Sequence, residues 1–292
     1  MTHPGTERLL RINGIKLNVT DTGSGRPILL LHGFPDSLRL WREQVAPLVS
    51  AGLRVIAFDQ RGFGRSDAPT DRRGYALPVL AADALGVLDA LGVPEPVAVV
   101  GHDWGATVGW YLAAVHPKRV DRLVAISVGH PQAFLDAGPR QLLRSSYMLL
   151  FRVPILAEKV LKAGDFALPR RLLRGEKDLQ LWLADLRRPG RLTAGLNWYR
   201  ANARLQTVEL PPAQRPVMGV WSTGEPATTE RQMRLSRRYV AGDYRYERVD
   251  GAGHWIPRDA PGRLTSLLVD FCGRTAGSPA AALPPAGRHE VR

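Results

Sequence analysis

Asp103 stands in Gly101-His102-Asp103-Trp104-Gly105, between an apolar run and a helical one. Small residues two before and two after a central nucleophile are the form of a nucleophile elbow, here with aspartate where serine attacks acyl groups. The residue type selects the chemistry. A carboxylate attacking a carbonyl leaves an anhydride, a poor resting point. A carboxylate displacing a leaving group from saturated carbon leaves an ordinary ester, which water then cleaves. An aspartate before a helix is also a common N-cap, so the catalytic reading depends on partners elsewhere in the chain.

Those partners are Glu225 and His254. Trp221-Ser222-Thr223-Gly224-Glu225 puts an acid just past a predicted strand, and Gly251-Ala252-Gly253-His254-Trp255 puts a histidine in a glycine-loosened loop. Nucleophile, acid, histidine is the chain order of α/β-hydrolase triads. His254 would be the general base on water, with Glu225 fixing its tautomer. His32-Gly33-Phe34-Pro35 follows another apolar run. A loop so placed offers the Phe34 backbone N–H, beside that of Trp104, as an oxyanion hole for attack on the ester. The rings of Phe34, Trp104 and Trp255 are candidate substrate contacts. His102, inside the elbow, reads as structural, as do His32, His116 and His130.

Strands must end where these groups begin. Asn13-Gly14 between Leu9–Ile12 and Ile15–Val19 predicts a hairpin. Strands then follow at Pro27–Leu31, Leu53–Phe58, Pro96–Val100 and Arg122–Ser127, with helices at Arg39–Val49, Pro78–Leu91 and Ala106–His116. From residue 131 to 212 the alternation gives way to amphipathic helical stretches. It resumes with a strand at Val217–Trp221, a helix near Thr229–Val240, a strand at Tyr244–Val249 and a helix at Pro261–Phe271. The expectation is an α/β fold with a mostly parallel eight-stranded sheet. Its core spans 1–130 and 213–273, and a helical cap spans 131–212. The segment 274–292, rich in Ala, Pro and Gly, reads as a disordered tail.

Composition narrows the partners. The 292 residues are 45% hydrophobic, enough for one large α/β domain with an insertion. Net charge is +13, and Arg140–Arg204 holds fourteen Lys/Arg against five Asp/Glu. A nucleic-acid surface would interleave such charge with stacking aromatics or carry a known motif. Neither is visible, so the charge reads as a solvated arginine-rich surface and no nucleic-acid partner is expected. The single Cys272 has no partner for an internal disulfide. No secretory pattern opens the chain, and no apolar run reaches about 18 residues. A cytoplasmic protein without a membrane span, metal or cofactor is expected, with a homodimer left open.

Together the motifs resemble those of the soluble epoxide hydrolases of the α/β-hydrolase fold, over nearly the whole length except the tail. The matching pieces are His32–Pro35, the turn Asp59-Gln60-Arg61-Gly62-Phe63-Gly64-Arg65-Ser66-Asp67, the elbow, and the loop Gly251–Trp255. Two more lie in the cap: Ser146–Phe151 followed by Pro154 and Ala157-Glu158, and Leu196-Asn197-Trp198-Tyr199-Arg200. The resemblance implies that Tyr147 and Tyr199 point from the cap onto Asp103 and assist ring opening of a small-molecule epoxide. A phenol with a pKa near about 10 is protonated at neutral pH and can donate to the departing oxygen. Without the resemblance both tyrosines read as cap-core aromatics. The family usually carries aspartate at the position of Glu225.

Two rivals share parts of this pattern. A dehalogenase uses the same aspartate, and Trp104 could donate to halide. Haloalkane dehalogenases, however, usually carry asparagine where this chain has Phe34, and a halide needs no proton from a tyrosine. A non-catalytic binding relative would be expected to lose Asp103, His254 or the His-Gly loop, and all are present.

Overall fold

The computed structural model describes residues 6–273; the expected disorder of 274–292 concerns residues outside that range. The chain opens with β1 (Arg8–Ile12) and β2 (Ile15–Thr22), joined by Asn13 and Gly14, both at positive φ (47° and 78°). That is the backbone an Asn-Gly hairpin turn requires. Then follow β3 (Arg26–Leu31), α1 (Arg42–Ser50), β4 (Leu53–Phe58), α2 (Leu77–Ala90), β5 (Val97–His102), α3 (Trp104–Val115) and β6 (Val120–Ile126). The predicted helix at Arg39–Val49 divides into a 3-10 turn, Leu38–Trp41, and α1. Two acceptors fix that entry: Ser37 Oγ accepts the Arg39 N–H, and Asp59 Oδ1 accepts the Leu38 N–H at 2.8 Å.

Between β6 and β7 the described chain is helical: α4 (Ala133–Asp136), α5 (Pro139–Arg144), α6 (Tyr147–Phe151), α7 (Leu156–Leu172, broken at Ala163–Phe166), α8 (Leu179–Arg187) and α9 (Arg191–Ala201). The α/β pattern then returns with β7 (Val217–Ser222), α10 (Glu230–Leu235), β8 (Tyr244–Val249), α11 (Ile256–Asp259) and α12 (Pro261–Cys272). The expected helix Thr229–Val240 is shorter, continuing only as a 3-10 turn at Ser236–Tyr239. There Ser236 Oγ donates to the Gln232 carbonyl at 2.9 Å, a back-bond that bends helices.

The eight strands form one sheet in the order β1-β2-β4-β3-β5-β6-β7-β8. β2 pairs antiparallel with β1 and β4, and the remaining pairs are parallel. Period-two alternation feeds two cores. Leu29, Leu31, Val97, Val99, Leu123 and Ala125 face α2 and α3. Ile28, Leu30, Ala98, Val100, Val124 and Ile126 face α1 and α12. This is why the central strands read as continuous apolar runs. From β3 the chain steps to β4 on one side, then returns to β5 on the other. That reversal is a topological switch point, and open α/β sheets bind ligands beyond the carboxyl ends of the strands there. His32–Pro35 and the elbow both occupy it.

Candidate active site

Asp103 lies between β5 and α3 with φ 53° and ψ −119°, a strained conformation for a non-glycine residue that lifts its carboxylate above the sheet. The flanking glycines are required by contact. A Cβ on Gly101 would collide with the Gly105 carbonyl, and one on Gly105 with the Leu31 carbonyl. Asp103 Oδ1 accepts the Phe34 N–H at 2.9 Å, and the Trp104 backbone N–H lies near enough to favour the charged carboxylate. The two donors expected to form an oxyanion hole thus both lie at the Asp103 carboxylate. Oδ2 faces His254 Nε2 at 3.7 Å. Burial pushes the Asp103 carboxyl upward in pKa, opposed by His254 and by these two N–H groups.

His254 Nδ1 donates to Glu225 Oε2 at 2.7 Å. The other Glu225 oxygen accepts the Ala227 N–H at 2.8 Å and the Thr228 N–H at 3.3 Å. A turn thus anchors the longer acid from behind. The glycine-loosened histidine loop is pinned by three strand ends. Ser127 Oγ and His102 Nε2 hydrogen-bond the His254 carbonyl at 2.8 and 2.9 Å, and Ser222 Oγ donates to Gly253 O at 2.6 Å. Burial pulls the His254 pKa down, but the charge and hydrogen bond of Glu225, then the charge of Asp103, outweigh it and raise it to about 9. His102 is the opposite case: burial holds it well below the usual histidine range, so it is neutral scaffolding. His32, lowered by burial to about 4, accepts the Gln60 N–H at 2.9 Å. His130 stacks on Tyr239 at 4.3 Å.

The rings of Tyr147 on α6 and Tyr199 on α9 both pack edge to face on Phe151, at 5.2 and 5.0 Å. The Trp104 and Tyr199 rings meet edge to face at 5.0 Å. Burial raises both phenols in pKa, reinforced by Asp103 and, for Tyr147, by Glu225. Both therefore stay protonated donors across the neutral range. Asp103, Trp104, Tyr147 and Tyr199 line one cavity, which Val128, Phe134, Met148 and Leu205 make largely apolar.

Two expected ring contacts lie elsewhere. Trp255 turns away from the cavity into the core, its ring packed at a tilt on Trp182 at 4.4 Å and touching the His254 ring edge to face at 4.8 Å. It backs the histidine and does not line this cavity. The Phe34 ring packs against Phe63, Phe151 and Tyr199, so it braces Tyr199. Sequence reasoning missed Gln232 and the apolar wall, because a lining residue on an ordinary helix carries no local signal. The Asp59–Asp67 turn supports the site from below. Asp59 accepts the backbone N–H of Leu38 and of Arg65, each at 2.8 Å, and Phe63 packs on Phe34 and Trp198. Among the described residues no cluster of His, Cys, Asp or Glu could hold a metal ion, and no helix is long and apolar enough to cross a membrane.

Comparison with known proteins agrees with this fold. A family profile described as alpha/beta hydrolase fold matches residues 26–261. The AB hydrolase superfamily protein YfhM of Bacillus subtilis is 33% identical, over 90% of this chain and 96% of its own. Epoxide hydrolase A of Mycobacterium tuberculosis is 32% identical, over 91% and 97%. Among solved structures, epoxide hydrolase A from Mycobacterium thermoresistibile superposes with TM-score 0.77 at 28% identity, covering 91% of this chain and 98% of that one. The inhibitor complex of the Bacillus megaterium epoxide hydrolase gives 0.81 at 25%, covering 91% and 100%.

Proposed function

The chain belongs to the alpha/beta-hydrolase fold family, and on that premise we propose that it is an epoxide hydrolase, converting an epoxide and water to a vicinal diol. Asp103 Oδ2 attacks a ring carbon, and the C–O bond breaks as Tyr147 and Tyr199 donate to the departing oxygen. The product of this step is an alkyl ester on Asp103. Its carbonyl oxygen is then Oδ1, which already accepts the Phe34 N–H, so that part of the hole is in place before the second step needs it. The imidazolium of His254 gives back the proton that the phenols passed to the ring oxygen, and the neutral imidazole then takes one proton from water, whose oxygen attacks the aspartyl carbonyl. The ester C–O bond breaks, the departing alkoxide takes the water's second proton, the diol leaves, and the carboxylate and the imidazolium are restored.

The raised pKa of His254 fits this order. In the resting site two carboxylates keep the imidazole protonated. Esterification removes the Asp103 charge, which lowers the imidazole's proton affinity when a base is needed. The observation that carries the reading is the phenol pair lining the same cavity as Asp103, since a departing halide would give it no task. The Trp104 ring, the rival's halide donor, packs edge to face against Tyr199.

The proposal includes residues 131–212 as a cap over the cavity. It also includes a cytoplasmic setting, supported by the single buried Cys272. Light scattering on the purified protein distinguishes a monomer from a homodimer. The deciding assay incubates the protein with styrene oxide and separately with 1-chlorobutane. Diol is expected from the first; chloride from the second without any diol would overturn the reading.

A further inference from the structure

Gln232 on α10 is 1% exposed and lines the same cavity as Asp103, Trp104, Tyr147 and Tyr199. Its Oε1 accepts the Gly129 N–H at 3.2 Å. That bond fixes which end of the amide is oxygen, because a backbone N–H needs an acceptor. The other end, Nε2, is buried and has no hydrogen-bond partner among the described residues. A buried amide donor left unpaired is costly and calls for an explanation. Other orphaned side-chain atoms exist, among them those of Trp41, Trp182 and Asp36. Gln232 alone belongs to a residue lining this cavity. Two other polar side chains of the lining are committed: Thr228 Oγ1 donates to Ser127 O at 2.6 Å, and Ser145 Oγ to Ala227 O at 2.8 Å.

Resting on the epoxide reading, we infer that Gln232 forms a polar subsite in the substrate cavity, selecting epoxides that carry a neutral hydrogen-bond acceptor, such as a carbonyl, away from the ring. The amide is uncharged and the acceptor completes its hydrogen bonding. The apolar wall of Val128, Phe134 and Leu205 takes the hydrocarbon between the two polar ends. A site with an unpaired donor discriminates against a substrate lacking the acceptor.

The test uses a matched pair, glycidyl butyrate and 1,2-epoxyoctane, with diol formation as the readout. kcat/KM is measured for both substrates on the wild type, Gln232→Leu and Gln232→Glu. The glutamate variant keeps an oxygen for the Gly129 N–H but loses the donor. The ester-to-alkyl ratio is expected to fall on the order of tenfold in both variants. Because the ratio is taken within each protein, a loss of folded material cancels. An unchanged ratio in both variants, with both epoxides opened by the wild type, would overturn the subsite. Opening of neither epoxide by the wild type would overturn the epoxide reading, and the subsite with it.

Discussion

Arg200 and Glu158 form a bidentate ion pair, 2.8 and 2.9 Å, that ties together the two segments carrying the tyrosines. Arg200 follows Tyr199 on α9. Its guanidinium also donates to the carbonyl of Phe151 at 3.0 Å and to that of Val153 at 3.4 Å, both at the end of the segment holding Tyr147. Glu158 lies in the first turn of α7. The arginine side chain is 3% exposed and the glutamate 15%. The hydrogen bond and charge of Arg200 outweigh burial and hold the Glu158 carboxyl down at about 2, so the pair stays intact through the working pH range.

This pair sets the spacing of the phenols, and its loss should act on one half-reaction. Arg200→Met or Glu158→Gln is expected to slow ester formation on the order of 10- to 100-fold, the scale of a small misplacement of reacting groups. Decay of the preformed ester, which does not use the phenols, should be spared. Arg200→Lys should not rescue, because an ammonium cannot replace the fork that reaches Glu158 and two carbonyls. Rapid-quench measurement of the two half-reactions separates this positioning role from general destabilisation, which would depress both.

Replacing the phenols directly should give the same signature more strongly. Tyr147→Phe and Tyr199→Phe each leave one donor, so each single variant keeps part of the rate. The double variant should lose about 10²- to 10⁴-fold in ester formation. Reactivity should recover toward substrates whose leaving group needs no proton. If the double variant opens epoxides at the wild-type rate, the phenols are cap packing only.

Much of this was legible in the sequence because glycine and strand signals are local. Asn13-Gly14, the apolar runs of β3 to β6 and the glycines of the elbow each depend on their own backbone. The juxtaposition of Asp103, Glu225 and His254 was legible through chain order, since strand ends bring distant loops together at the switch point. What escaped were facing directions. Trp255 follows His254 in sequence yet points into the opposite core, because the chain turns into α11 there. The Glu158–Arg200 pair and the orphaned Gln232 amide depend on how α6, α7, α9 and α10 pack, which no spacing encodes.

The electrostatics of His254 give a pH prediction. Its pKa is raised from 6.5 to about 9 in the folded protein, after burial, which lowers it, is outweighed by Glu225 and Asp103. Folding therefore strengthens proton binding. The resulting stability is fully present below pH 6.5 and is lost as pH rises through about 9. Glu225→Gln removes the principal raising charge, leaving burial to dominate. Its Tm should lose this dependence between pH 6.5 and 9, and imidazole NMR should place its midpoint well below that of the wild type. The same variant should slow ester hydrolysis by about 10²- to 10⁴-fold and let the ester accumulate, since the histidine is no longer held in its working tautomer. Mass spectrometry of the intact protein detects that adduct.

Gly33 offers a test of how tightly the nucleophile is held. A Cβ at Gly33 would overlap the Asp103 carboxylate and crowd its Cβ. Asp103 cannot yield easily, because the Phe34 N–H holds its carboxylate and its backbone is fixed by the elbow. Phe34, the very next residue, would be displaced by any compensating shift of the loop. Gly33→Ala should therefore lose on the order of 10²-fold or more in ester formation, the scale of a misplaced reacting group. The β3–β5 pairing behind the loop should keep the sheet intact, as read by circular dichroism. Near-wild-type turnover by Gly33→Ala would mean that the Phe34 N–H contact is dispensable, and with it the assignment of this loop to the oxyanion hole.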